Sequence, residues 1–302
     1  MAADNPQAQP ESPFLVERLM REARRSMENE EFASEDDFRD NMEQFIEDGL
    51  ADRRVKSLKD DPVELAQELA FEAYEAETEE KALELVERAL QLDESCEDAL
   101  TIKAFITCED AGELIVALEH AATCGEKRLG EEFFAEFMGD FWPMVEARPY
   151  MRTIKQLAEV LWNVGRRLDA VAHYENLLDL DPVDHMGNAT LLLGYYMAMG
   201  EIQRSWDLLE EYDDEVSAVF NWAWVLLLLL TGDEDAARDS LEHAMEKNPY
   251  VAPWLIGMGE GHEEDLPAFF APGSEAEAQL CAQILGESWE CSGQAQWWLY
   301  NV

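Results

Sequence analysis

Apolar residues recur along this chain at intervals of three and four positions, with almost no stretch in which they alternate with polar ones. Leu83, Val86 and Leu90 show the spacing in one segment, and similar segments follow along most of the chain. Residues three and four apart share one face of an α-helix, whereas a half-buried strand has a period of two. The pattern therefore predicts a chain that is essentially all helical.

A longer motif repeats within these helical segments. It has a small residue near the start of a helix, a bulky residue four positions later, a small or apolar residue three further on, and a stop after five more. The three clear copies are Ala82, Val86, Ala89 and Glu94; Ala170, Tyr174, Leu177 and Pro182; and Ala237, Leu241, Ala244 and Pro249. Twelve positions before each copy stand Ala70, Ala158 and Val225. Small residues at these places predict pairs of helices that pack closely.

Glycines mark the gaps between helices in the later copies. Gly165, Gly200 and Gly232 are separated by 35 residues (165 to 200) and 32 residues (200 to 232). A tetratricopeptide unit has about 34 residues, and a glycine commonly ends a helix in the left-handed conformation. We therefore predict an all-α, tetratricopeptide-like α-solenoid, a right-handed superhelix of antiparallel helix pairs with a helical C-terminal cap.

Changes in composition set the predicted boundaries of this solenoid. Residues 1–12 are expected to be a disordered lead, 13–60 N-terminal acidic helices, 61–250 the repeats, and 251–302 the C-terminal cap. The periodicity changes after Pro249, and the apolar anchors predicted for the cap are Trp254, Phe269, Phe270 and Trp289.

The chain is strongly acidic, with 67 aspartates and glutamates against 22 lysines and arginines and a formal net charge of -45. Such a charge repels phosphates, so we predict that the protein binds neither nucleic acid nor an anionic membrane. Two interpretations of the charge remain open. It is a solvated surface suited to a saline environment, which the even spread of the acids favours, or it attracts a basic partner.

Cysteines, histidines and the N-terminus indicate the compartment and the chemistry. The five cysteines include no C-x-x-C pair, and the N-terminus has neither a basic segment nor an apolar core, so we predict free thiols in the cytoplasm. The neighbouring residues His262–Asp265 are metal ligands by type, but adjacent positions in one loop seldom converge on one ion. With no catalytic or phosphate-binding motif, we expect no metal, no cofactor and no enzymatic activity.

Three segments carry a family resemblance. They are EARPYMRTIKQLAEVLWNVGRRLDAVAHYENLLDLDP (146–182), NPYVAPWLIG (248–257) and GSEAEAQLCAQILGESW (273–289). In order and spacing they resemble a family of tetratricopeptide-like proteins related to the suppression-of-tumorigenicity seven protein. The resemblance implies a helical repeat scaffold with no catalytic residues to carry over. Animal members of that family have membrane-spanning segments, which this sequence lacks, so membrane association is not implied.

A binding site is expected where the first helices of the repeats line a concave groove. In the clear middle repeat the predicted peptide-binding residues are Arg148, Arg152, Lys155, Trp162 and Asn163. The three cations could bind a peptide carboxylate, as in the clamps of chaperone-binding tetratricopeptide domains. Glu159 departs from that pattern. In the alternative interpretation the arginines form salt bridges to neighbouring helices, and Trp162 packs beside Gly165.

The equivalent positions of the last repeat are apolar, namely Val219, Trp222, Leu226 and Leu229. They would accept an amphipathic helix or be filled by the C-terminal cap, and the aromatic residues of the cap favour the second. The leading functional hypothesis is a non-catalytic scaffold that binds a peptide or protein segment in the groove. The alternative is an acidic decoy that binds a basic protein through its overall charge.

Overall fold

The computed structural model describes residues 12–27, 35–52, 61–213, 215–259 and 270–302. These residues form fifteen α-helices and no strand, which confirms the prediction of an all-helical chain. No helix in these ranges combines the length and the apolar character that crossing a membrane requires. The chain divides into two compact units.

The first unit contains residues up to Arg166 together with Asp179–Pro182. Its helices are α1 (Leu15–Met27), α2 (Glu35–Asp52), α3 (Pro62–Tyr74), α4 (Glu79–Leu92), α5 (Glu97–Thr107), α6 (Ala111–Phe137) and α7 (Arg148–Asn163). From α3 to α7 each helix packs against the next, and α5 also contacts both α3 and α7. Consecutive packing of this kind is that of an α-solenoid.

The second unit contains Arg167–Leu178 and Val183–Val302. Its helices are α8 (Arg167–Leu180), whose last residues belong to the first unit, α9 (Asn188–Met199), α10 (Ile202–Glu211), α11 (Ala218–Thr231), α12 (Glu234–Lys247), α13 (Val251–Leu255), α14 (Glu275–Cys291) and α15 (Gly293–Asn301). Helices α9 to α12 pack in order, and α9 also contacts α11. Helix α14 packs on α9, α11 and α13.

The small residues of the repeat motif are buried, as predicted. Those that are fully buried are Ala70, Ala89, Ala158, Ala170, Ala237 and Ala244. In the first copy Ala70, Ala82 and Ala89 belong to one core cluster where α3 meets α4. The glycine stops are also confirmed, since Gly165, Gly200 and Gly232 have φ angles of 82°, 73° and 84°.

Two expectations about the ends of the chain need correction. Helix α1 is not acidic, because its sequence LVERLMREARRSM has four arginines and two glutamates; only α2 is acidic. In the cap, Trp289 is fully buried as predicted, but Phe270 is 40% exposed. Phe269 and His262–Asp265 lie outside the described residues. The cap also reaches further than the last repeat, since α14 packs on α9 as well.

The five cysteines are free thiols, as predicted. Cys96 in the first unit and Cys281 on α14 in the second are buried, whereas Cys291 is exposed. Burial raises the pKa of Cys96 to about 12 and raises the pKa of Cys281 well above its ordinary value. These two thiols are therefore protonated at neutral pH and shielded from solvent.

Candidate binding face

The first helices α3, α5 and α7 of the first unit lie side by side, with α5 in the middle. We call the surface formed by these three helices the first-helix face. It has two parts, an open groove and a part that helix α1 covers.

The open groove is a cavity of about 380 Å³ between the three helices. It is lined by Ala73, Tyr74, Ile102, Phe105, Ile106, Gln156 and Glu159. Five of these side chains are apolar or aromatic, and Phe105 is 49% exposed. Exposed aromatic surface in a concavity is typical of a site that binds another molecule.

Two polar side chains from α7 stand at the edge of this open groove. Burial raises the pKa of Glu159, and the nearby positive charge of Lys155 opposes the rise. The side-chain oxygen of Gln156 accepts no hydrogen bond from the part of the chain that the structure describes. The groove therefore has a carboxyl group beside its apolar floor, whereas the unpaired oxygen of Gln156 is buried.

A buried carboxylate joins the three helices next to the groove. Asp98 on α5 is fully buried and accepts hydrogen bonds from Gln67 Nε2 at 2.6 Å and from the hydroxyl of Tyr74 at 3.1 Å. On the other side Arg152 of α7 donates to it from Nε at 3.0 Å and from Nη2 at 2.5 Å. The guanidinium of Arg152 also donates to Glu17 of α1 at 2.7 Å.

The charges in this network hold one another ionised. Burial by itself would raise the pKa of Asp98, but the charge of Arg152 and the hydrogen bonds outweigh it and leave the pKa lowered. Burial would likewise lower the pKa of Arg152, but Asp98 and Glu17 raise it well above its ordinary value. A buried carboxylate and a buried guanidinium thus depend on each other.

Helix α1 lies against α3 and α7 and covers this part of the first-helix face. Phe14, just before α1, stacks on Phe71 with ring centroids 4.6 Å apart and on Tyr74 at 5.2 Å. Leu19 of α1 is also buried, but its side chain lies against Gly49 of α2, on which α1 packs. Because Tyr74 lines the open groove as well, the covered part and the open groove meet at this residue.

Ion pairs hold α1 along the acidic surface of α3. Arg18 pairs with Glu68 and with Glu75, each at 2.9 Å, and Arg21 pairs with Glu64 at 3.1 Å. Arg21 also donates to the carbonyl oxygen of Val145 at 3.1 Å. The first-helix face therefore holds a basic amphipathic helix through carboxylates and an aromatic stack.

The predicted binding residues occupy different environments. Arg152 forms the salt bridges to neighbouring helices that the alternative interpretation expected. Arg148 is buried, donates to the carbonyl oxygen of Trp142 at 2.9 Å and lies over the Trp142 ring. Both arginines therefore interact within the fold. Lys155 lies near Glu159 but does not line the open groove, and neither do Trp162 and Asn163, which follow later on α7.

The sequence prediction missed the acidic surface of α3 and the part played by α1. Glu64, Glu68 and Glu75 are three among 67 acidic residues, and their spacing resembles that of any solvated helix face. The one available signal was local: Arg18, Arg21, Arg24 and Arg25 fall close together in a chain that has few basic residues.

The corresponding face of the second unit is filled. The predicted groove residues Val219, Trp222 and Leu226 are buried, and Trp222 meets Trp289 of α14 edge to face at 6.4 Å. A Cβ atom added at Gly194 of α9 would lie 2.8 Å from the backbone oxygen of Ile284 in α14. The cap therefore packs on Trp222 and on α9, as expected. Leu229, the fourth predicted residue, is only half-buried and lines a separate pocket with Trp297 and Trp298 of α15.

A second buried acid in the first unit makes a pH-dependent contribution. Glu97 on α5 is 2% exposed and lies 3.1 Å from Nε of Arg128 on α6. Burial raises its pKa from 4.5 to about 7, although the charge of Arg128 opposes the rise. Because the folded pKa exceeds the ordinary one, the stability that this group contributes is complete below about pH 4.5. It is lost as the pH rises through 7.

We expect Glu97→Gln to remove this loss, because the amide carries no charge to bury. The Tm of the variant minus that of the wild type should become more positive as the pH rises from about 5 to 8. Thermal unfolding followed by circular dichroism measures it, with the exposed Glu87→Gln on α4 as control. A difference that is constant across this range would contradict the prediction.

No protein-family model and no curated protein matches the chain. The resemblance described above therefore stays a prediction. Across the described ranges no group of three or more histidine, cysteine, aspartate and glutamate side chains is arranged to hold a metal ion.

Proposed function

We propose that this protein is a cytoplasmic, non-catalytic scaffold that binds a peptide or protein segment on the first-helix face of its first unit. The observation that carries the proposal is the open groove, in which Phe105, Ile102 and Tyr74 form an apolar floor beside Gln156 and Glu159. In helical repeat proteins the first helices line the surface that binds partners.

We further propose that the helix pairs form a right-handed, tetratricopeptide-like superhelix. The spacing of the glycine stops supports this, as do the contacts of α5 with α3 and α7 and of α9 with α11. In such a superhelix the first-helix face would be concave, which places the open groove where an extended or helical segment can lie along it.

The predicted binding residues divide between two roles in this proposal. Lys155, Trp162 and Asn163 lie on α7 outside the lining of the open groove and would contact a partner that extends beyond it. Arg152 would act from within the fold, because it joins α5 to α7. Arg148 would act there too, by binding Trp142 in the segment just before α7. Glu159 would favour a partner with a positive charge near its apolar residues.

We expect Phe105→Glu to abolish the binding of a groove partner, because a new carboxylate would stand at the apolar floor beside Glu159. Lys155→Glu and Trp162→Ala should weaken it as well. Affinity capture from a lysate of the source cell, at low and at high salt, measures the partners that each chain retains.

The matched control is Val116→Glu on α6, which adds the same charge at a valine that is 65% exposed and does not line the groove. Its partners should equal those of the wild type. If Phe105→Glu and Val116→Glu chains capture the same proteins, the open groove is not the binding site.

The acidic decoy is the second candidate function, and the net charge of -45 favours it. A decoy would capture the same basic proteins whether or not the groove is altered. Added salt would release them, because exposed charges more than about 10 Å apart are screened at 0.1 M salt. A scaffold partner held in an apolar groove should remain bound at high salt.

A further inference from the structure

Helix α1 packs along α2 and meets the first-helix face through side chains, much as a helical ligand would. Its contacts with α3 and α7 are one aromatic stack and a set of ion pairs, formed by Phe14, Glu17, Arg18 and Arg21. These positions, i, i+3, i+4 and i+7, fall on one face of a helix. The side chains of this segment that contact the face therefore form the sequence pattern Phe-x-x-Glu-Arg-x-x-Arg.

Each position of this pattern meets a complementary group. The aromatic side chain stacks on Phe71 and Tyr74, and the first arginine meets Glu68 and Glu75. The second arginine meets Glu64, and the glutamate meets Arg152. The guanidinium of Arg152, predicted to bind a peptide carboxylate, is thus paired with a carboxylate of the same chain.

The face also offers a contact that α1 does not use. The open groove begins at Tyr74, whose ring stacks on Phe14, and Ser12, two residues before Phe14, is bonded to Glu75. In a helix of the same pattern, apolar residues before the phenylalanine would be the ones closest to this groove, which Ile102, Phe105 and Ile106 line together with Tyr74. Those added contacts would let it compete with α1, which is held at high effective concentration by its own chain.

We propose that the first-helix face binds a helical segment of a partner protein that carries Phe-x-x-Glu-Arg-x-x-Arg preceded by apolar residues, and that this segment displaces α1. The inference rests on the proposed function for the role of this face, and adds the chemistry of the partner. The acidic surface of α3 attracts the arginines of the segment, and Arg152 orients it through the glutamate.

The test uses the full chain and a fluorescent peptide with the sequence of residues 12–27 preceded by two leucines. We expect this peptide to bind a Phe14→Ala, Arg18→Ala chain about tenfold more tightly than the wild type, because the internal competitor is weakened. Fluorescence anisotropy at about 0.15 M salt gives both affinities. Equal affinity for the two chains would overturn the inference.

Two altered peptides separate recognition from simple attraction to an acidic protein. A scrambled peptide has the same net charge, and one with Arg18→Glu has lost the pairing with Glu68 and Glu75. Both altered peptides should bind the Phe14→Ala, Arg18→Ala chain about tenfold more weakly than the original peptide does. A Glu68→Arg change in that chain should restore binding of the Arg18→Glu peptide. Scrambled and original peptides of equal affinity would overturn the inference.

The outcome is distinct from that of the capture experiment. If no peptide binds but Phe105→Glu still removes a cellular partner, the proposed function stands and this partner chemistry is wrong. If the peptide binds while Phe105→Glu leaves the captured proteins unchanged, the partner chemistry stands and the proposed function is wrong. Concentration-dependent self-association of the wild type that the peptide reverses would make a second copy the occupant, and would overturn the proposal of a separate partner.

Discussion

Replacing Arg152 with alanine should destabilise the first unit by about 3–5 kcal/mol, the cost of breaking a buried ion pair by removing one partner. The change leaves Asp98, which is fully buried, with Gln67 and Tyr74 as its remaining donors. Glu17 loses its closer cation and keeps only Arg21, at 3.7 Å. Urea unfolding measures the loss, and faster hydrogen exchange in α5 and α7 would assign it to this unit.

The control for this variant is Arg204→Ala in the second unit. Arg204 pairs with Glu175 at 2.8 Å, but the two side chains are 51% and 36% exposed. Water screens such a pair, and its loss should cost only about 0–1 kcal/mol. If both variants lose the same stability, the buried network is not what holds the three helices together. Asp98→Asn added to Arg152→Ala should recover part of the loss, because it removes the unpaired buried charge.

Replacing Gly194 with alanine should destabilise the second unit by about 1–3 kcal/mol. The new Cβ would lie 2.6 Å from Cγ2 of Ile284 and 2.8 Å from its backbone oxygen. A side chain can rotate away, but the backbone oxygen moves only if α14 moves away from α9. We therefore expect lower stability in urea and faster hydrogen exchange along α14.

Gly286→Ala provides a matched control on α14 itself. Both glycines lie inside helices, but a Cβ at Gly286 has no neighbouring atom within 4 Å. Alanine is the better helix former, so this variant should gain about 0.5–1 kcal/mol. Opposite signs for the two variants would show that close approach of α14, and not helix propensity, decides the result; a gain in both would contradict the packing described here.

The helices and their repeat were predictable because the determining signals are local. Ala82, Val86 and Ala89 lie within two turns of one helix, and a glycine stop such as Gly232 acts on the residues just before it. Spacing along the chain therefore suffices to place them. The filling of the second groove was also predictable, since the aromatic residues after Pro249 needed a surface to cover.

The candidate site was less predictable, because its contacts join distant residues. Arg152 was predicted to bind a peptide carboxylate, and the alternative interpretation gave it salt bridges within the fold; the partners it has, Glu17 and Asp98, are 135 and 54 positions away. With 67 acidic residues, spacing cannot show which carboxylate an arginine meets. The open groove depends in the same way on three helices meeting, and neither Phe105 nor Ile106 is distinctive by itself.

The two buried thiols give each unit its own reporter of local opening. Cys96 lies in the first unit and Cys281 on α14 of the second, and burial keeps both protonated. An alkylating reagent reacts with the thiolate, so it can modify either cysteine only while the surrounding helices are apart. The rate at which each thiol is labelled in the native protein therefore measures how often the helices around it open in its own unit.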